Sequence, residues 1–141
     1  MSASTSLNTS QPARDISFGV VQAIVKTVAF NTLGIGTVDT VKVGTVPAGA
    51  QILTAVVRIV AAFNAAATNV LTVGTSAGTN ADIVSASDVN EATPGSTIVG
   101  TGAGLAFTVD TPIYVRYTQT GTAATTGSAV ITVSFVATLN G

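Results

Sequence analysis

The sequence predicts an all-β chain folded as an antiparallel β-sandwich, and three observations carry that prediction. Apolar residues recur at every second position over 53–63, over 105–117 with a break at 110–112, and over 129–139, the runs are divided by Gly, Pro and Asn turns, and no strand–helix unit repeats. A strand sends alternate side chains to opposite faces, so a recurring apolar parity marks a sheet face that another layer must cover. Two facing sheets or a closed barrel meet that need, and the sandwich comes first because one apolar face recurs in each strong strand.

The 141 residues suit one ordinary domain, which can bury enough apolar surface to fold without metal or disulfide. Residues 1–15, MSASTSLNTSQPARD, carry little apolar surface and one proline. They are expected to form a flexible N-terminal arm ahead of a single sandwich domain over 16–141. Such an arm could order on a neighbouring subunit or simply fray. The string FGVVQAIVKTVAF (18–30) fits two periods: Val21, Ala23, Val25 and Ala29 alternate, while Val21, Ile24, Val25 and Val28 keep helical spacing. Its density of β-branched residues favours a strand.

TVDTVKVGTV predicts a strand stopping at Pro47, with the chain reversing over Pro47-Ala48-Gly49-Ala50, because proline fixes φ and glycine accepts a positive φ. Next, Leu53, Ala55, Val57, Ile59, Ala61 and Phe63 share one parity and are expected inside, with Arg58 pointing away. Thr68–Val73 reads as a short strand closed by Gly74. Residues 75–104 read as a long irregular region with one helical turn over 87–92, a length that is commonly functional or mobile inside a compact domain. Leu105, Phe107 and Val109 then predict an inward parity, as do Ile113, Val115 and Tyr117 after the Asp110-Thr111-Pro112 break. Ala129, Ile131, Val133, Phe135, Ala137 and Leu139 oppose Ser128, Thr132, Ser134 and Thr138, and this strand is expected in the middle of a sheet. The total is seven or eight strands.

Composition narrows function. Apolar residues make up 47% but charged residues only 8%, against a usual charged share of about 25%. A hydroxyl-rich, weakly charged surface gives little colloidal repulsion, which suits a protein held in an assembly. The same surface also fits a β-domain solvated by its Thr and Ser. The net charge is -1, with Arg14, Lys26, Lys42, Arg58 and Arg116 scattered singly, so phosphate-backbone binding is not expected. The first residues lack the basic and apolar regions of a secretory signal, and no apolar run is long enough to span a membrane, so a soluble product made in the cytoplasm is expected.

Cysteine and histidine are both absent, which removes thiolate chemistry, the usual general base near neutral pH and the commonest metal ligand. Neither lysine has a nucleophile constellation beside it. Asp82, Asp88 and Glu91 are the one acidic cluster; they lack the alternating ligand positions of a calcium loop and read best as a solvated loop. Gly100-Thr101-Gly102-Ala103-Gly104 neither opens a predicted helix nor carries a phosphate-binding lysine. No enzyme, cofactor or metal site is expected. Candidate protein-interface residues are Arg14 in the arm, Arg58, Asn64, and Tyr114 and Arg116 on the outward parity of their strand, since Tyr and Arg combine contact area with hydrogen bonding. Tyr114 as an ordinary surface aromatic, with Arg116 paired to an acid, is the competing reading.

The segment TVPAGAQILTAVVRIVAAFNAAATNVLTVGTSA (45–77) resembles part of small structural proteins of tailed-phage heads. DTPIYVRYTQTGTAATTGSAVITVSFVATL (110–139) is similar to the closing hairpin of such sandwiches. The chain resembles the jelly-roll decoration (cement) proteins of short-tailed Bordetella phages. The likeness spans roughly half of the chain and consists of turn-and-strand signatures. The resemblance implies a jelly roll on the outer surface of a virion, binding major capsid protein of adjacent capsomers and stabilising the shell. The turn 47–50, the loop 62–67 and the strand 114–117 are the elements that carry over. Homo-oligomers, dimers before trimers, are expected, with no nucleic-acid or membrane partner. The competing functions are a carbohydrate- or receptor-binding sandwich of a tail fibre or adhesin, disfavoured by the absence of Trp and the presence of only two Tyr, and a self-assembling shell or fibre subunit.

Overall fold

A computed structural model of the chain describes residues 20–33, 38–75 and 81–137. The expected arm over 1–15, Arg14 within it, and Leu139 lie outside the described residues. The elements are β1 (Val21–Ala29), a one-turn helix α1 (Phe30–Leu33), β2 (Val38–Val46), β3 (Ala50–Ala61), β4 (Thr68–Gly74), β5 (Gly95–Val99), β6 (Thr111–Thr120) and β7 (Ser128–Ala137). They form two antiparallel sheets, one in the order β1-β7-β3-β5 and the other β2-β6-β4. The expected sandwich is therefore present. Each strand lies in the sheet opposite to the strand before it, so no two consecutive strands pair. The segment 110–139 is accordingly an arch from sheet to sheet and not the hairpin that the resemblance implied.

The strands with the clearest alternation are the ones whose sides are set by both neighbours. β7 runs between β1 and β3 and buries Ala129, Ile131, Val133, Phe135 and Ala137, as its pattern predicts. β6 is central in the other sheet and buries Ile113, Val115 and Tyr117. Between the sheets these join Ile52, Ala55, Val57, Ile59, Phe63, Leu71 and Val73 in one core. Removing a side chain of this size from water stabilises the fold by roughly 1.5–3 kcal/mol. At the sharp end of β2 the amide of Ala50 donates to Pro47 O at 3.1 Å, and Gly49 has φ 87°. This is the turn geometry that requires a positive φ at its third residue.

The structure departs from the sequence pattern at several places. Leu53 is exposed, because a bulge inserts it between the register pairs Ile52↔Phe135 and Thr54↔Ser134, and the extra residue moves the inward parity from Ile52 to Ala55. Residues 105–109 form no strand: Leu105 and Phe107 pack partly buried beside the start of β3, with Ile52 N donating to Leu105 O at 2.7 Å, while Val109 is exposed. In β1 the inward positions are Ile24 and Val28, and Val21 and Val25 face out. The long irregular region also contains β5 and an isolated bridge Val73↔Val84, and 87–92 is a pair of turns without a helix.

The end of the sandwich where β3 leaves its sheet is closed by polar contacts. Asn64 Oδ1 accepts from the amides of Thr125 (2.7 Å) and Thr126 (3.0 Å), tying the β3–β4 loop to the β6–β7 loop. Gly127 lies against the face of Phe63, where an added Cβ would fall 2.4 Å from ring carbon Cδ1, and its φ of 140° excludes ordinary side chains. The Phe63 ring in turn meets Tyr117 at a centroid distance of 4.9 Å and an interplanar angle of 41°.

Candidate functional site

The two outward sheet faces differ in character. Across the four-stranded sheet, register brings Val25, Thr132, Val56 and Ile98 into one transverse row, and Thr27, Val130, Arg58 and Ser96 into the next. Val21 and Val136 lie at one end of this face and Val60 at the other. Val21, Val25 and Ile98, on the two edge strands, are 57%, 58% and 77% exposed, high values for branched apolar residues. Arg58 is exposed near the middle of β3, as its parity predicts. Its row neighbours are Val130 and Ser96, so no carboxylate stands beside it in the sheet.

The outward face of the three-stranded sheet is polar and half-buried. There Lys42, Tyr114 and Gly74 share one row, and Thr40, Arg116 and Thr72 share the next. Tyr114 and Arg116 thus lie on the opposite side of the sandwich from Arg58, and Asn64 is occupied at the loop end. The residues singled out by sequence do not converge on one surface. Val56 and Val60 stand on the outward parity of β3 in the sequence itself; what the sequence does not show is that Val25 and Ile98 join Val56 in one row. That row is invisible until β5 and the β1 parity are known.

The acidic residues are not one solvated cluster. Asp82 accepts from the Thr75 amide (2.9 Å) and hydroxyl (2.7 Å), and Asp88 from the Ser85 amide (2.8 Å) and the Thr101 hydroxyl (2.6 Å). Those bonds hold the Asp88 carboxyl below the usual range, the Thr101 hydroxyl most of all. Glu91 is only 6% exposed and its Oε2 accepts the Leu71 amide at 3.0 Å. Burial pushes its carboxyl up, against the opposing pull of that amide. The Tyr117 phenol is pushed up to about 12, by burial first and by the Glu91 charge second, and donates to Asn69 Oδ1 at 2.6 Å. These groups close loops. Among the described residues no three acidic or metal-ligating side chains gather to hold a metal, and no helix is long and apolar enough to cross a membrane.

No family model and no curated protein matches the chain. Among solved structures it matches a chain of the cyanophage Pam1 capsid asymmetric unit, with a TM-score of 0.68 and 27% identity over 85% of this chain and 86% of that one. The chain is similar to a phage capsid component. It also matches a chain in the acidic stable capsid structure of Helicobacter pylori bacteriophage KHP30, at a TM-score of 0.58, 16% identity, and coverage of 88% of this chain and 91% of that one. This second likeness is one of fold. In both pairs the coverage is nearly equal on the two sides, so the matched chains are close to this one in length. The Pam1 likeness supports a structural role in a phage capsid.

Proposed function

We propose that this chain is a decoration (cement) protein that binds major capsid subunits on the outer surface of a phage head and stabilises the shell. The observation that carries the reading is the likeness to a chain of similar length within the Pam1 capsid asymmetric unit. Two features of the chain support it. Charge is sparse, and one sheet face exposes branched apolar residues. The alternation of strands between sheets reads as a jelly roll with one strand reduced to the Val73↔Val84 bridge beside β4. Cementing is additive in this reading. Each copy bridges neighbouring subunits, and repetition over a symmetric shell turns modest single-site affinity into mechanical reinforcement.

The test is to add the purified chain to capsids that lack it and to compare their resistance to heat. Saturable association and a higher disruption temperature are expected. Absence of association, or binding to a surface glycan in its place, rejects the assignment.

A further inference from the structure

The outward face of the four-stranded sheet has an apolar row with a single cation set beside it. Arg58 is the one charged side chain among the outward positions of β1, β7, β3 and β5: the others are Val, Ile, Ala, Thr, Ser, Leu and Gln. Among the described residues it has no hydrogen-bond or ion-pair partner. On the adjoining row Val25 and Ile98 bracket Thr132 and Val56, so the guanidinium rises from the edge of a weakly hydrated patch.

Strand spacing and rise give this face a footprint of roughly 500 Å². A partner covering it would bury roughly 1,000 Å² in total, the lower bound for a specific contact. A second copy is a poor occupant. Two-fold pairing over this face sets the inner-strand Arg58 of one copy close to that of the other, with no acid among the described outward positions to separate them. The charge instead calls for a partner that is apolar over the Val25–Ile98 row and presents a carboxylate to Arg58.

We infer that the four-stranded face is the surface by which this chain docks on a capsid subunit, with Arg58 receiving a carboxylate and Val25, Val56 and Ile98 the apolar contact. This rests on the capsid reading above. Arginine suits the role because its planar fork can hold a carboxylate by two parallel hydrogen bonds.

The experiment is a co-sedimentation titration of the full chain and four variants against capsids lacking it, with circular dichroism confirming the fold of each. Arg58→Glu and Ile98→Asp are each expected to weaken binding by about thirty-fold or more, the threshold of an interface hot spot. Arg58→Lys is expected to keep part of the affinity, and Lys42→Glu, on the opposite face, all of it. If the parent chain binds and Arg58→Glu and Ile98→Asp bind equally well, the docking face is wrong and the capsid reading stands. Loss of binding in Lys42→Glu assigns docking to the other sheet and also overturns the inference. A parent dimer in solution that Ile98→Asp dissociates overturns it in favour of a second copy. If the parent itself fails to bind, the capsid reading falls and the docking face with it.

Discussion

Glu91 shows how a residue's chemistry depends on what the chain wraps around it. In sequence it belongs with Asp82 and Asp88, yet it is the buried member of the three, and the two with shifted carboxyls shift in opposite directions. A raised carboxyl keeps its proton in the folded state to a higher pH than in the unfolded chain. Over the interval from 4.5, the unperturbed value, up to the raised one, the folded state therefore binds more protons, and stability falls as pH rises. Asp88 has the opposite sign: its contribution is present above 3.8 and is lost as pH falls through its lowered value. Glu91→Gln retains a side-chain oxygen for the Leu71 amide and removes the ionisation. Urea denaturation from acid to neutral pH is expected to show a stability loss on going up from 4.5 in the parent that is flattened in the variant. An equal slope in both would place the carboxylate in water.

At the scale of elements, legibility followed the number of neighbours that constrain a strand. β7 and β6 are covered on one face and paired on both edges, so each side chain's environment is fixed by parity alone, and the apolar parity reads correctly over 129–137 and 113–117. Edge strands were not. β1 carries valines on both faces, and β5 has five residues of which Val99 alone is buried, so neither parity is unique in sequence. Bulges defeat periodicity more directly, since one inserted residue inverts every later side chain. The candidate site was less legible than the fold for the same reason: Arg58 was found from a strong strand, while its apolar row draws on β1 and β5. The bulge in β3 can be tested by paired truncations. Ile52→Ala is expected to cost about 2–4 kcal/mol, a core cavity, whereas Leu53→Ala is expected to stay within about 1 kcal/mol, as at a surface position. Chemical denaturation of the two variants checks the order, and the reverse order would restore the uninterrupted odd parity.

Across the whole molecule the strand order makes the two ends of the described chain mutually dependent. β7 supplies the ladder partner for β1 and for β3 at once, so the four-stranded sheet cannot form until the last strand is in place. The other sheet offers no independent nucleus, because β2, β6 and β4 are each separated in sequence by a strand of the opposite layer and bury their inward faces only against it. Every ladder is thus non-local, and loop closure must precede the contacts that stabilise it, which places folding in the slow, millisecond-to-second class of all-β domains. Stopped-flow refolding is expected to show that timescale, and thermal unfolding a single cooperative transition. Truncation before Ser128 is the sharper measurement. It removes two ladders and the buried row Ala129, Ile131, Val133 and Phe135, and is expected to abolish cooperative unfolding and chemical-shift dispersion altogether. A truncated chain that still melts cooperatively would show that β2, β6 and β4 fold on their own, and that the sandwich assembles from two units.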